Sequence, residues 1–376
     1  LLSSLSALKK HEKLFRDEGT FLVDVNVQDL LQTFSEFEEL TRQHVRTLIG
    51  NGIIPDRQHD AILRLYSQFK EFANILEIAG VFKELFSLIL IENAGILRIL
   101  CKDPSPFMAN KITSFWSVIA QSATLEPFPF YRDLLGFPND CLTESFLSPF
   151  DPCNLFVAIY SLSTRFADRQ KTLEELGSII EATVKAKHGN YIIYLPSFQY
   201  LSQVKTELQK KKLTRPKFQL IYQKPAMGES YRRRILNKFE QKSGLILVAV
   251  SGGIFAESID LKGESLHGVI IVGPSLPAIS AEEELLKDYF EETRGQGMGF
   301  KYAYRNPGMT RVVQAAGRVI RSETDRGIVI LVGQRFTSNY YAELLPKFWF
   351  EKDPKELILG KTELIHNLER FWQQIG

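Results

Sequence analysis

From Asn154 onward the chain is dominated by six short apolar runs, largely β-branched: Leu155–Tyr160, Tyr191–Leu195, Phe218–Tyr222, Ile246–Val250, Val269–Val272 and Ile328–Val332. They are nearly continuous rather than alternating, the pattern of strands buried on both faces. Helical stretches lie between most of them, over Arg169–Lys187, Phe198–Lys212, Glu229–Glu240, Ala281–Arg294 and Thr310–Arg321. This alternation constrains the fold to an α/β domain, a parallel sheet with helices on both faces. Ligands on such sheets sit beyond the carboxyl ends of the strands, so the polar residues just after each run are where chemistry is to be sought.

The preceding residues read differently. Apolar positions recur at three- and four-residue steps in Leu30, Leu31, Phe34, Phe37 and Leu40, and again in Ile62, Leu65, Tyr66, Phe69, Phe72 and Ile75. IGNGIIPDRQ breaks the two helices apart. A third helix is expected over Val81–Ile91, and a short strand–turn over Ser117–Leu125. Residues 1–110 thus read as a mostly helical region of 12 Lys+Arg against 15 Asp+Glu, leaving the remainder at net +5 within a total of +2. That total argues against a uniformly basic nucleic-acid coat. Three cysteines without a close pair exclude a disulfide scaffold and a zinc ribbon. They fit a reducing cytoplasm. No apolar stretch reaches the length of a membrane span, and the charges of LLSSLSALKKHEK follow its apolar part, the reverse of a secretory leader. No membrane partner is expected.

Three segments could carry chemistry. Gln314-Ala-Ala-Gly-Arg-Val-Ile-Arg321 reads as a helix with Gln314, Arg318 and Arg321, four and three residues apart, near one face. Gly317 would allow close approach to the backbone. Forked, permanently charged donors suit a polyphosphate, and a solvated basic face is the competing reading. Arg305, Arg311, Arg326 and Arg335 add charge around it without further spacing. In Val248–Asp260 a buried run opens into Ser251, Gly252 and Gly253, followed by Glu257 and Asp260. Bare glycines let backbone N–H groups meet an anion, although an ordinary glycine turn with a capping acid has the same composition. In Tyr191–Tyr200 the strand ends at Pro196. Ser197 and Phe198 then offer either a phosphate and base contact for a single strand or a simple helix cap. The hydroxyls of Gln121-Ser-Ala-Thr-Leu-Glu126 mean little alone. Gly295-Gln-Gly-Met-Gly299 lacks the preceding strand that a dinucleotide loop requires. The six histidines show no metal-ligand spacing. No G-x-x-x-x-G-K-[ST] occurs, so an arginine clamp here reads as half of a composite nucleotide site.

In order along the chain, SATL at 122–125, YLPSFQYL at 194–201, AVSGGIFAESIDLKGE at 249–264, and QAAGRVIRSETDRG at 314–327 followed by QRF at 334–336 resemble motifs III to VI of the XPD/DinG-like superfamily-2 helicases. The resemblance covers about residues 111–350 and implies a 5′→3′ DNA helicase driven by ATP and Mg²⁺, acting in DNA repair or replication. Its fold would be RecA-like, of the P-loop NTPase kind. Residues 1–110 would be an Arch-like helical region, 111–145 the last piece of a first motor domain and 146–376 the second motor domain. The phosphate loop, the DEAH box and the cysteines of an iron–sulfur cluster would lie before residue 1. The partners implied are single-stranded DNA and that first motor domain.

Carried over by the resemblance, Arg318 and Arg321 contact the γ-phosphate, with Arg321 as arginine finger and Gln314 ordering the site. Gly253, Glu257, Asp260 and Gly317 serve the ATP site and its link to DNA, and Ser122 and Thr124 couple ATP to domain closure. Ser197, Phe198 and Ser251 touch the nucleic acid. Two positions depart from the family pattern: Ser258 stands where a glycine is usual, and Gly333 where an aspartate is. A non-catalytic nucleic-acid- or protein-binding module that kept the fold is the alternative.

Overall fold

The computed structural model describes residues 9–15, 19–24, 26–211, 213, 217–255, 261 and 263–374. The chain divides into two compact units. One comprises Leu1–Ile119, Arg132–Asn139 and Ile279–Gly299, the other Ala120–Tyr131, Asp140–Ala278 and Phe300–Gly376.

The first unit pairs a four-stranded antiparallel sheet, β1 (Lys9–Phe15), β2 (Thr20–Asp24), β3 (Phe86–Ile91) and β4 (Ile96–Cys101), with two long helices, α1 (Val27–Gly50) and α2 (Ala61–Val81). The two helices follow the three-and-four spacing. Asn26 and Asp60 cap them, accepting backbone N–H bonds from Gln28 and from Ile62 and Leu63. Phe37 and Phe69 pack with ring centroids 5.7 Å apart between them.

The sheet corrects the helix expected over Val81–Ile91. The α2 helix ends at Val81, and Phe86–Ile91 pairs with both Thr20–Leu22 and Ile96–Cys101. A run of six apolar residues is as good a strand as a helix turn, and partners distant in sequence decide it. Gly95, at φ +62°, turns the chain from β3 into β4. Helix Ala281–Arg294 belongs to this unit. Buried Asp103 accepts from the Ser105 N–H at 2.9 Å, from Tyr289 Oη at 3.2 Å and from Arg294 Nη2 at 3.5 Å. The strand–turn expected over Ser117–Leu125 is absent: these residues hold a turn at Ala123–Thr124 and no strand.

The second unit is the expected parallel sheet. Its strands are β5 (Leu155–Tyr160), β6 (Tyr191–Leu195), β7 (Gln219–Tyr222), β8 (Leu245–Val250), β9 (Gly268–Val272) and β10 (Gly327–Val332). They lie in the order β5-β10-β9-β6-β8-β7, every pair parallel. Successive residues face opposite cores. Ile192, Tyr194, Leu247 and Val329 join one, with helices α5 (Glu229–Gln241) and α6 (Asn306–Ala316). Tyr191, Ile193, Val248 and Ile330 join the other, with α3 (Arg169–Ala186), α4 (Phe198–Lys210) and α7 (Lys361–Gln373). Beyond β5, Ile358 forms a parallel bridge to Ile159, and the Leu359 N–H donates to the Ile159 carbonyl at 3.0 Å.

At the amino end of the sheet buried Asn190 closes three chain ends at once. Its Nδ2 donates to the carbonyls of Phe239, Lys242 and Ser265, and its Oδ1 accepts from the Leu245 N–H.

Candidate nucleotide and nucleic-acid site

The carboxyl edge of the parallel sheet gathers most of the residues singled out by the sequence. The Ser251 N–H donates to the Leu195 carbonyl at 2.8 Å, which sets the β8 exit beside Pro196 and Ser197. Ser275, just past β9, donates its hydroxyl to Ser251 Oγ at 3.0 Å. It does so from φ +51°, a conformation rare for a non-glycine residue and found where the surroundings over-determine the backbone.

The two glycines have separate reasons. Gly252 sits at φ +78°, and a methyl group there would lie 3.3 Å from the Arg311 guanidinium. A methyl group on Gly253 would lie 2.5 Å from Gln223 Nε2 and 3.1 Å from the Val250 carbonyl oxygen. Gln223 is fixed in place, because it is buried and its Oε1 accepts the Val250 N–H at 2.9 Å. Both Arg311 and Gln223 are therefore part of this edge. Arg311 was recognisable only as charge, although it stands one helical turn before Gln314; Gln223 carried no signal beyond closing a strand.

Ser197 caps α4, its hydroxyl accepting the Tyr200 N–H at 3.2 Å, and Phe198 follows it 37% exposed. The cap reading of Ser197 is thus realised, with an aromatic ring open to solvent beside it. Gln314 reaches Thr124, Nε2 to Oγ1, at 3.5 Å, the long limit of a hydrogen bond. Ser122 Oγ lies 3.3 Å from the Thr124 N–H. The segment that bears them is pinned to α6 by Tyr131 Oη on Thr310 Oγ1 at 2.7 Å, and to the turn just before α6 by Phe130 against Tyr302.

The arginine segment needs correction. The α6 helix stops at Ala316, with Gly317 as its C-cap, so Gln314, Arg318 and Arg321 do not share a helical face. The reason is Asp325. This buried carboxylate accepts the Arg321 N–H at 2.7 Å, the Ser322 N–H at 2.9 Å, Ser322 Oγ at 2.6 Å and the Gly263 N–H at 3.1 Å. Together these bonds outcompete another helical turn. Burial alone would raise the Asp325 pKa, but the Ser322 hydroxyl and three backbone N–H groups hold it below the ordinary 3.8. Arg318 is buried, near the Tyr194 ring whose hydroxyl donates to the Phe255 carbonyl at 2.9 Å; Arg321 is exposed. Glu257 and Asp260 lie outside the described residues, as does Ser258.

Arg305 is structural. It is buried, bonded to Asn306, the Tyr340 carbonyl and Glu343, and it stacks on the Tyr340 ring. The Gly295–Gly299 loop is equally structural, since Glu291 accepts the N–H groups of Gly297 and Gly299. Among the described residues no group of three His, Cys, Asp or Glu could hold a metal ion, and no helix is long and apolar enough to cross a membrane.

This geometry coincides with a known domain. Residues 180–352 match the family model described as a helicase C-terminal domain. This region is similar to the C-terminal helicase region of the XPD/DinG-like superfamily-2 helicases. This helicase region is 30% identical over 237 residues to the ATP-dependent DNA helicase YoaA of Haemophilus influenzae, covering 61% of this chain and 34% of that one. It is 25% identical over 340 residues to the XPD/RAD3 helicase subunit of general transcription and DNA repair factor IIH of Saccharomyces cerevisiae, covering 81% of this chain and 42% of that one. The chain therefore spans about a third to two fifths of the length of these relatives. A solved structure of apo XPD superposes with a TM-score of 0.58 at 16% identity, over 92% of this chain and 65% of that one. That likeness fixes the fold of the helicase region as RecA-like.

Proposed function

We propose that this chain supplies the second motor domain of an ATP-dependent DNA helicase, residues 146–376. On this reading residues 111–145 complete a first motor domain and residues 1–110 form an Arch-like region. The observation that carries the reading is the helicase C-terminal domain match over 180–352. It falls on a parallel sheet whose carboxyl edge joins Ser251–Gly253, Arg311 and Ser197. ATP and Mg²⁺ are held chiefly by the other motor domain. Arg321, exposed on a backbone fastened by Asp325, is the arginine finger, with Arg318 and Gln314 behind it. Such a cation stabilises charge on the transferring phosphoryl group and lifts turnover by roughly 10³-fold or more. Gly253, Glu257, Asp260, Gly317, Ser122 and Thr124 couple nucleotide to domain closure, and Ser197, Phe198 and Ser251 line the single-stranded DNA track.

The test is DNA-stimulated ATP hydrolysis by the helicase with both motor domains present. Arg321→Ala should lower turnover by roughly 10³-fold while leaving single-stranded DNA binding within about twofold of the unaltered protein. Unchanged turnover removes Arg321 from the site. The 376-residue chain alone should hydrolyse no ATP, and DNA-stimulated turnover by it would overturn the composite site.

A further inference from the structure

Two arginines at the same carboxyl edge play no part in the roles just described. Arg169 opens α3, just beyond the β5 exit. Its guanidinium lies 4.6 Å from the centroid of the Tyr200 ring and 5.5 Å from that of Phe166. Its Nε donates to the Thr164 carbonyl at 3.3 Å. Stacking on two rings and one fixed N–H bond orient the guanidinium in advance of any ligand, so little entropy is lost when its remaining donors are used.

Arg335 lies in the short turn of helix that follows β10. The Gln334 N–H donates to the Leu162 carbonyl at 2.8 Å, which holds this turn beside the β5 exit. Burial lowers the pKa of Arg169, with Tyr200 opposing and the positive charge of Arg335 adding to the lowering. Among the described residues neither arginine is paired with a carboxylate, whereas neighbouring Arg305 has Glu343 at 2.9 Å. Two half-buried cations that repel one another without an acid between them make a site for an anion. Tyr200, beneath Arg169, stands two residues after exposed Phe198 on the first turn of α4, so the anion site and an open aromatic face share one helix end.

We propose that Arg169 and Arg335 form a phosphate-binding pair that holds a phosphodiester of a single strand whose bases stack at Phe198. This rests on the nucleic-acid reading above and adds the residues that grip the backbone.

The test is a fluorescence-anisotropy titration of a labelled oligothymidylate with the 376-residue chain, repeated between about 50 and 200 mM KCl. Arg169→Gln and Arg335→Gln should each reduce the magnitude of the slope of log K against log[KCl] by about 0.7, and the double variant by about 1.4. Arg169→Lys with Arg335→Lys should keep a slope near that of the unaltered chain. Thermal melting checks folding, and Arg335→Gln, on a short surface turn, carries the test if Arg169→Gln does not fold. Binding with unchanged slope in the Gln variants overturns the pair and leaves the nucleic-acid reading standing. So does an equal loss in the Lys variants, because the effect is then not one of charge. An unaltered chain that fails to bind the oligonucleotide overturns both.

Discussion

Asp325 is the residue on which the arginine segment depends, and its removal can be worked through from its four bonds. Asp325→Ala deletes a buried carboxylate that holds three backbone N–H groups and one hydroxyl. Hydrogen bonds to a charged group contribute about 1.5–3 kcal/mol each when the freed partner stays dry. Here Arg321 and Gly263 are exposed and Ser322 is half-buried, so water replaces part of what is lost. The four bonds share one acceptor and are not additive. A total of roughly 2–3 kcal/mol follows. For a unit of this size that lowers the melting temperature by about 4–12 °C, which scanning calorimetry resolves.

The pH dependence gives an independent reading of the same bonds. The folded-state pKa of Asp325 is held below its unfolded value of 3.8. Its contribution is therefore complete above that value and is lost as pH falls through the lower folded value. Asp325→Asn should lack this acid limb, because an amide does not titrate, and it should be less stable at neutral pH, because its Nδ2 becomes a donor facing donors. A melting temperature for Asp325→Ala within about 1 °C of the unaltered protein, together with an unchanged acid limb in Asp325→Asn, would refute the reasoning.

Three further outcomes follow from the same structure. Gly253→Ala puts a methyl group 2.5 Å from Gln223 Nε2, whose amide is fixed by Val250, and should cost about 1–3 kcal/mol in urea denaturation, whereas Gly50→Ala, where an added methyl group meets nothing within 4 Å, should be nearly neutral. Asn190→Ala strands the carbonyls of Phe239, Lys242 and Ser265 and the Leu245 N–H at the amino end of the sheet, and should cost about 3 kcal/mol by the same measurement. Burial lowers the His267 pKa below 6.5, with Glu264 opposing and Lys187 and His188 reinforcing. Stability should therefore hold above about pH 6.5 and decline below it, as the unfolded chain takes up a proton first; a urea midpoint for His267→Gln with the same decline would show that another group is responsible.

The parallel sheet was legible because each of its strands is buried on both faces and so writes a nearly unbroken apolar run, as in Ile246–Val250 and Ile328–Val332. The four-stranded sheet was not, because Phe86–Ile91 becomes a strand only through Thr20–Leu22 and Ile96–Cys101, pairings that no local pattern displays. In the site, Ser197 and the Ser251–Gly253 turn were visible as polar residues after strands. The helix containing Arg318 and Arg321 was over-extended, because the spacing of Gln314, Arg318 and Arg321 suits a helix and the competing acceptor, Asp325, lies beyond it. A signal was present in Ser322-Glu-Thr-Asp325, where a short acid three residues after a serine can reach back to the serine's hydroxyl and N–H. Arg169 was hidden for another reason: its significance comes from Tyr200 and Arg335, which only the fold brings near.

The short return of the chain past β5 has a consequence for where this protein tolerates being cut. Ile358 and Leu359 occupy hydrogen-bonding groups that β5, first in the strand order, would otherwise offer to another molecule, and the segment then delivers Leu364, Leu368, Phe371 and Trp372 onto one core. A stop or proteolytic nick before Pro354 would thus do two kinds of damage at once. It would free the β5 edge at Ile159, where another strand could then pair, and it would uncover the core face on which Leu364, Leu368, Phe371 and Trp372 pack. Residues 354–374 thus guard both the first edge of the parallel sheet and one of its faces.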